Sequence, residues 1–262
     1  MANEKSKAEQ YRDERKTSLC SLRIEHGICG VISPETMALI AFALLSPVAM
    51  RRIFFERMIE PMPIVIAYLG IGTSPKYFWF EFMELYNNGE ISFKDVTTFN
   101  LDEYCDLDKH DKNSYYTFMH ENLFNHVDVK EENVNFLNGN AKDCDAESKR
   151  YAEAIKAAGG IDLQLLGIGT NGHIAFNEPF SSLNSLTRVK TLTTDTRIAN
   201  SRFFDGDMNK VPSTALTVGV GTVMAAKEVM ILCNGHSKAR ALQRYGFSYY
   251  FPSFCSIKSL SQ

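Results

Sequence analysis

His173 and Glu178 stand in GIGTNGHIAFNEP (167–179), with Asn171 two residues before the imidazole. Three side-chain chemistries meet there: an imidazole that gives and takes a proton near neutrality, a carboxylate and a carboxamide. Glycines at 167, 169 and 172 remove side chains where the chain must turn sharply and let a ligand approach the backbone. An isolated Gly-rich turn with one His reads equally well as purely structural. A second cluster shifts the balance. VTTFNL (96–101) is another β-rich run, and it too ends in ionisable residues, Asp102-Glu103-Tyr104. Two strands ending in such groups predict one site at a shared sheet edge, where ligands of parallel sheets bind.

The elements that must position these residues follow from punctuation and period. Ile64–Ile71 is the first convincing buried strand. It meets Gly72-Thr73-Ser74-Pro75, an anion site in outline because free N–H groups and a helix start face the ligand. The turn is neither a P-loop nor a dinucleotide fingerprint. Helices are expected over Ser114–Val127 and Asp145–Ala158, the second stopped by Gly159-Gly160. Short strands are expected at Val134–Leu137, Ile161–Ile168, Leu216–Val220 and Glu228–Cys233. Thr187–Thr193 alternates like an edge strand, and Thr196–Phe204 looks helical, carrying Arg197 and Arg202. Strands alternating with helices predict an α/β protein with an open, mostly parallel sheet.

The chain has 262 residues, 45% hydrophobic and 23% charged, which fits one α/β domain spanning 1–262. Residues 1 to about 30 read as a polar tail. A net charge of -3 argues against a nucleic-acid or membrane-surface binder. Six scattered cysteines without a CxxC pair are expected as reduced thiols, with no metal site. The longest apolar run, Met37–Met50, is too short to span a bilayer, and the N-terminus lacks a secretion signal, so a cytoplasmic location is expected.

At TFNLDEY (98–104), SYYTFM (114–119), GIGTNGHIAFNEP (167–179), SSLNSLTRVKTLTTDTRIANSRFFD (181–205) and VPSTALTVGVGTVM (211–224), the chain resembles the glucosamine-6-phosphate deaminases. The resemblance runs from about Ile64 to Gln243. It implies a Rossmann-like fold with helices on both faces, a homohexamer, and conversion of glucosamine 6-phosphate and water to fructose 6-phosphate and ammonia without cofactor. Asp102 matches the proton shuttle between sugar C2 and C1. His173 matches the residue that opens the sugar ring, with Glu178 and Asn171 as its partners; Asn171 is an aspartate in many members. Gly72, Thr73, Ser74, Arg202 and Lys238 match the phosphate site. Without that register, Arg202 would read as a surface charge. Ser182, Arg188 and Lys190, with Ser181 alongside, match the anion-binding residues of an effector site that some members have for N-acetylglucosamine 6-phosphate.

Two departures stand out. Ile71 replaces a hydroxyl residue of the phosphate turn. After about 243 the chain diverges and ends, where some relatives contribute part of the effector pocket, so weak or absent activation is expected. The alternatives are a degenerate sugar-phosphate-binding protein and a 6-phosphogluconolactonase-like hydrolase.

Overall fold

The computed structural model describes residues 64–68, as backbone, together with 83–232 and 240–241. All of these fall within the compact unit Ser33–Gln262. Five parallel strands form the main sheet: β1 (Ile64–Tyr68), β2 (Val96–Asn100), β4 (Val134–Asn135), β5 (Leu163–Gly167) and β8 (Glu228–Leu232), in the order β4-β2-β1-β5-β8. β1 therefore lies between β2 and β5, in register Tyr68 to Asn100 on one side and Tyr68 to Leu165 on the other.

The two faces of this sheet are covered by different helices, as the period of two in the strands requires. Leu163 and Leu165 of β5 join a cluster with Met119 of α1 (Tyr115–Asn122). Leu166, pointing the other way, joins Tyr151 and Ile155 of α2 (Cys144–Ala157). Local chemistry sets the helix limits. Ser114 caps α1 by accepting from the Thr117 N–H, and Asp143 caps α2 by accepting from Asp145 and Ala146. Gly159 and Gly160, both at φ 89°, end α2 as their sequence predicts.

A second sheet departs from the single-sheet expectation. The chain bends at Leu101, and Asp102-Glu103-Tyr104 is not the loose end of β2 but a strand of its own, β3 (Asp102–Tyr104). It pairs antiparallel with β7 (Thr214–Thr217), which pairs antiparallel with β6 (Arg188–Thr191), in the order β3-β7-β6. The alternating 187–193 segment is thus an edge strand, but of this smaller sheet. The expected helix over 196–204 is α3 (Thr194–Asn200) followed by a 3-10 turn, Ser201–Phe203. The strand expected to open at Leu216 starts at Thr214 and gives way to α4 (Val220–Met224). None of the helices among the described residues is long and apolar enough to cross a membrane. The phosphate-turn residues Gly72, Thr73 and Ser74, Ile71, Lys238 and the chain beyond 241 lie outside the described residues.

Candidate active site

The loop that leaves β5 folds back on itself. Asn177 and Ile174 exchange backbone hydrogen bonds of 2.9 and 3.3 Å, and Ala175 is held at φ 51° between them. A left-handed conformation in a residue with a Cβ costs about 1–2 kcal/mol, so the surrounding contacts must impose it. Upstream, the ring of His173 lies against the Cα of Gly169, where any Cβ would collide with it.

Asn171 occupies the centre of a relay. Its Oδ1 accepts from the His173 backbone N–H at 3.0 Å and contacts His173 Nδ1 at 2.8 Å. A backbone N–H can only donate, so the atom facing it is the carboxamide oxygen. Nδ1 must then carry the imidazole proton, which makes Nε2 the acceptor nitrogen of the neutral ring. The other end of the amide obeys the same logic: Asn171 Nδ2 donates to Glu178 Oε2 at 2.8 Å. Glu178 Oε1 accepts from the buried Thr196 hydroxyl at 2.7 Å, and the Thr193 hydroxyl lies 2.9 Å from that of Thr196. Thr193 is also the cap of α3. The relay thus runs from α3 through Glu178 and Asn171 to one nitrogen of His173.

Asp102 lies in a different setting. It is 1% exposed, and neither carboxylate oxygen has a hydrogen-bond partner among the described residues. Both polar side-chain atoms of Asn100, at the end of β2, are likewise buried without a partner among the described residues. An unpaired buried carboxylate is costly, and such groups mark places where structure is sacrificed to a task. Burial first, and then the adjacent Glu103 carboxylate, push the Asp102 carboxyl well above its ordinary range. Glu103 projects from the opposite face of β3, where it accepts from the backbone N–H groups of Tyr104 (2.9 Å), Tyr115 (3.1 Å) and Tyr116 (3.0 Å). Two of those donors are the first N–H groups of α1. Burial still pushes Glu103 up to about 7.

The smaller sheet joins the two groups. Asp102 and Arg188 both sit opposite Thr217, one on each side of β7, so all three line one face. The 174–177 turn is fastened across that face. The Phe176 N–H donates to Thr217 Oγ1 at 3.3 Å, Asn177 Nδ2 donates to the Val218 carbonyl at 2.8 Å, and Arg188 Nη2 donates to Asn177 Oδ1 at 2.9 Å. Phe176 packs tilted on Tyr104, ring centres 5.6 Å apart. The His173 loop and the Asp102 strand are therefore held by one framework, of which β3 itself is part.

The remaining predicted residues are placed as follows. Arg202 is exposed on the 3-10 turn after α3, its guanidinium 4.7 Å from the Phe203 ring centre. Arg188 and Lys190 are half-buried on one face of β6. Arg188 is engaged by Asn177 and by the Leu186 carbonyl at 3.0 Å, and burial lowers its pKa. Ser181 Oγ donates to the Glu178 carbonyl at 2.8 Å, and Ser182 Oγ accepts from the Asn184 N–H at 3.2 Å. Sequence reasoning missed Glu103, Thr193 and Thr196. The DEY triplet contained a signal for Glu103; nothing local singled out the two threonines. Among the described residues no cluster of three or more His, Cys, Asp or Glu could hold a metal ion.

The parallel sheet, the appended antiparallel sheet and the loop site at their junction define an α/β class whose members have known sequences and structures. The profile of the glucosamine-6-phosphate isomerases/6-phosphogluconolactonase family matches residues 64–247. The chain belongs to that family. A glucosamine-6-phosphate deaminase of Phocaeicola vulgatus is 62% identical over 172 residues, 66% of this chain and 65% of the relative. One of Bacteroides thetaiotaomicron is 64% identical over 171 residues, 65% and 63% of the two chains. The match thus spans less than two thirds of the length of these curated relatives. Among solved structures, a monomeric glucosamine-6-phosphate deaminase superposes with a TM-score of 0.71 at 39% identity, covering 76% of this chain and 81% of that one. A 6-phosphogluconolactonase from Thermotoga maritima shares the fold, with a TM-score of 0.58 at 18% identity over 79% and 88% of the chains.

Proposed function

We propose that this chain converts glucosamine 6-phosphate and water to fructose 6-phosphate and ammonia. The observation that carries the reading is a tautomer-fixed imidazole, His173, held on the same framework as a buried carboxylate, Asp102, that has no hydrogen-bond partner among the described residues. Ring opening moves one proton from O1 to the ring oxygen, and an imidazole whose Nε2 accepts is suited to carry it. Isomerisation then removes the C2 proton and returns one to C1. A carboxylate does this when the adjacent carbonyl or iminium carbon acidifies the C–H bond, and such catalysis contributes roughly 10²–10⁴-fold. The resulting imine at C2 takes up water and releases ammonia. Identities above 60% to two deaminases support the same choice.

Arg202 is the described residue assigned to the phosphate, with Gly72, Thr73, Ser74 and Lys238 assigned to it by the resemblance. Ser181, Ser182, Arg188 and Lys190 are assigned to an effector such as N-acetylglucosamine 6-phosphate. Assembly as a homo-oligomer is part of the proposal, although the 39% identical relative is a monomer; sedimentation of the purified chain decides it. The activity test is ammonia release from glucosamine 6-phosphate by the full-length chain, beside hydrolysis of 6-phosphogluconolactone. Tight binding without ammonia would point to a sugar-phosphate sensor, and faster lactone hydrolysis to the other branch of the family.

A further inference from the structure

Several segments of the site meet at Tyr104. Its buried ring stacks on Tyr115 of α1, centres 5.4 Å apart, and meets Phe204 edge-on at 5.7 Å. Phe176 of the His173 loop packs on the same ring. The hydroxyl is held separately. Asn200, the last residue of α3, donates to it through Nδ2 at 3.0 Å. The first turn of that helix carries Thr196, whose hydroxyl donates to Glu178. α3 is therefore bonded at its start to the relay behind His173 and at its end to the strand that carries Asp102. The residue assigned to the phosphate is close by: Arg202 follows Asn200 by two positions, and Asp102 precedes Tyr104 by two. Arg202 stands on the tight turn Ser201–Phe203, closed by the Phe204 N–H donating to the Ser201 carbonyl at 2.8 Å.

From these contacts we propose that Asn200 is a positioning residue for Asp102, its bond to Tyr104 fixing the separation between Asp102 and Arg202. The inference rests on the proposed reaction, in which one sugar presents its phosphate to Arg202 and its C2 hydrogen to Asp102. A substrate anchored at one end and reacting at the other needs both protein groups at a set distance, because a displacement near 1 Å can cost about a hundredfold. β3 cannot set that distance alone. It is a three-residue strand at the edge of its sheet, paired only with β7. Its outer neighbours supply the rest: Glu103 ties it to the first N–H groups of α1, and Tyr104 ties it to α3. Both ties leave the Asp102 carboxylate itself without a bond. An amide and a hydroxyl suit the second tie because they are neutral, whereas a charged pair there would move the titration of Asp102.

The test compares Asn200→Ala, Tyr104→Phe and the double variant of the full-length chain, with two readouts. The first is solvent exchange of the C2 hydrogen of glucosamine 6-phosphate. Each single variant should lower its kcat about tenfold with KM within about twofold, and the double variant should lose no more than either single one, since all three remove the same bond. The second is amide hydrogen exchange without any ligand, where the β3 amides should exchange about fivefold faster or more. Losses that multiply in the double variant, a KM that rises as far as kcat falls, or unchanged exchange in β3 would overturn the proposal. Tyr104→Phe keeps the stacked ring, so the comparison survives if Asn200→Ala misfolds; circular dichroism checks both. A parent chain that exchanges no C2 hydrogen would sink the proposed reaction, and the β3 amides would then decide by themselves whether Asn200 holds the strand.

Discussion

At the residue scale, the informative contrast is between the two acids of β3. Asp102 has no hydrogen-bond partner among the described residues, whereas Glu103 accepts from three backbone N–H groups. A carboxylate kept without partners is costly to the fold, and the proposed C2 proton transfer would account for it. Asp102→Asn should therefore abolish solvent exchange at the substrate C2 carbon, lowering turnover by roughly 10²–10⁴-fold. Sugar-phosphate binding and the unfolding temperature should not fall. A variant that unfolds earlier would show that the acid is structural. The base works only when ionised, so the rate should rise with pH through a value well above the ordinary aspartate range. Asn171→Asp tests the other half of the site. It places a negative charge against the imidazole and replaces the Nδ2 donor to Glu178, 2.8 Å away, with an acceptor. An opposite charge favours imidazolium, so His173 should give up its proton at higher pH than in the parent. NMR titration of the imidazole reads that shift, and an unchanged titration would remove Asn171 from the relay.

At the element scale, the site depends on how closely two turns approach their neighbours. Gly169→Ala would drive a methyl group into the His173 ring. The expected outcome is at least a tenfold loss of turnover, since a displacement near 1 Å can cost about a hundredfold, with the helical signal unchanged. Thr196→Val keeps shape but removes the donor to Glu178. The loss of a hydrogen bond to a charged group, about 1.5–3 kcal/mol, should appear in turnover more than in KM. How much of this was legible before any coordinates varied with sequence distance. The Asn171–His173 contact spans two residues, and the resemblance already named Asn171 as a partner of His173. β1, β2 and β5 were legible as β-rich runs bounded by glycine and polar turns, and α2 by its glycine stop; its Asp143 cap emerged only with the structure. β3 was not, because DEY has no strand-like pattern and becomes a strand only through pairing with β7. The Thr196–Glu178 bond was hidden for a similar reason: eighteen residues separate donor and acceptor, and no local period links them.

At the scale of the whole molecule, Glu103 leaves a signature in global stability. Its carboxyl is raised to about 7 in the folded chain from an ordinary value of 4.5. Between these two values the native state holds a proton that the unfolded chain has released. The stabilising contribution is full below about 4.5 and is lost as pH climbs through about 7, an amount on the order of 3 kcal/mol. Asp102, also raised, pulls in the same direction. Other acids oppose it. Burial works against ionisation of Glu147, but hydrogen bonds from Arg150 and the Asn138 N–H leave its pKa lowered, so it stabilises above the ordinary range and loses that contribution in acid. The total pH profile therefore mixes signs, and a difference between two proteins isolates the Glu103 part. Glu103→Gln keeps an oxygen for the Tyr104 and Tyr115 N–H groups while removing the titration. Denaturant unfolding of parent and variant from pH 4.5 to 8 should show the variant gaining on the parent steadily up to about pH 7 and levelling beyond. A gap that stays flat across that range would mean that Glu103 enters the fold already ionised. The three N–H groups at its carboxylate would then outweigh its burial.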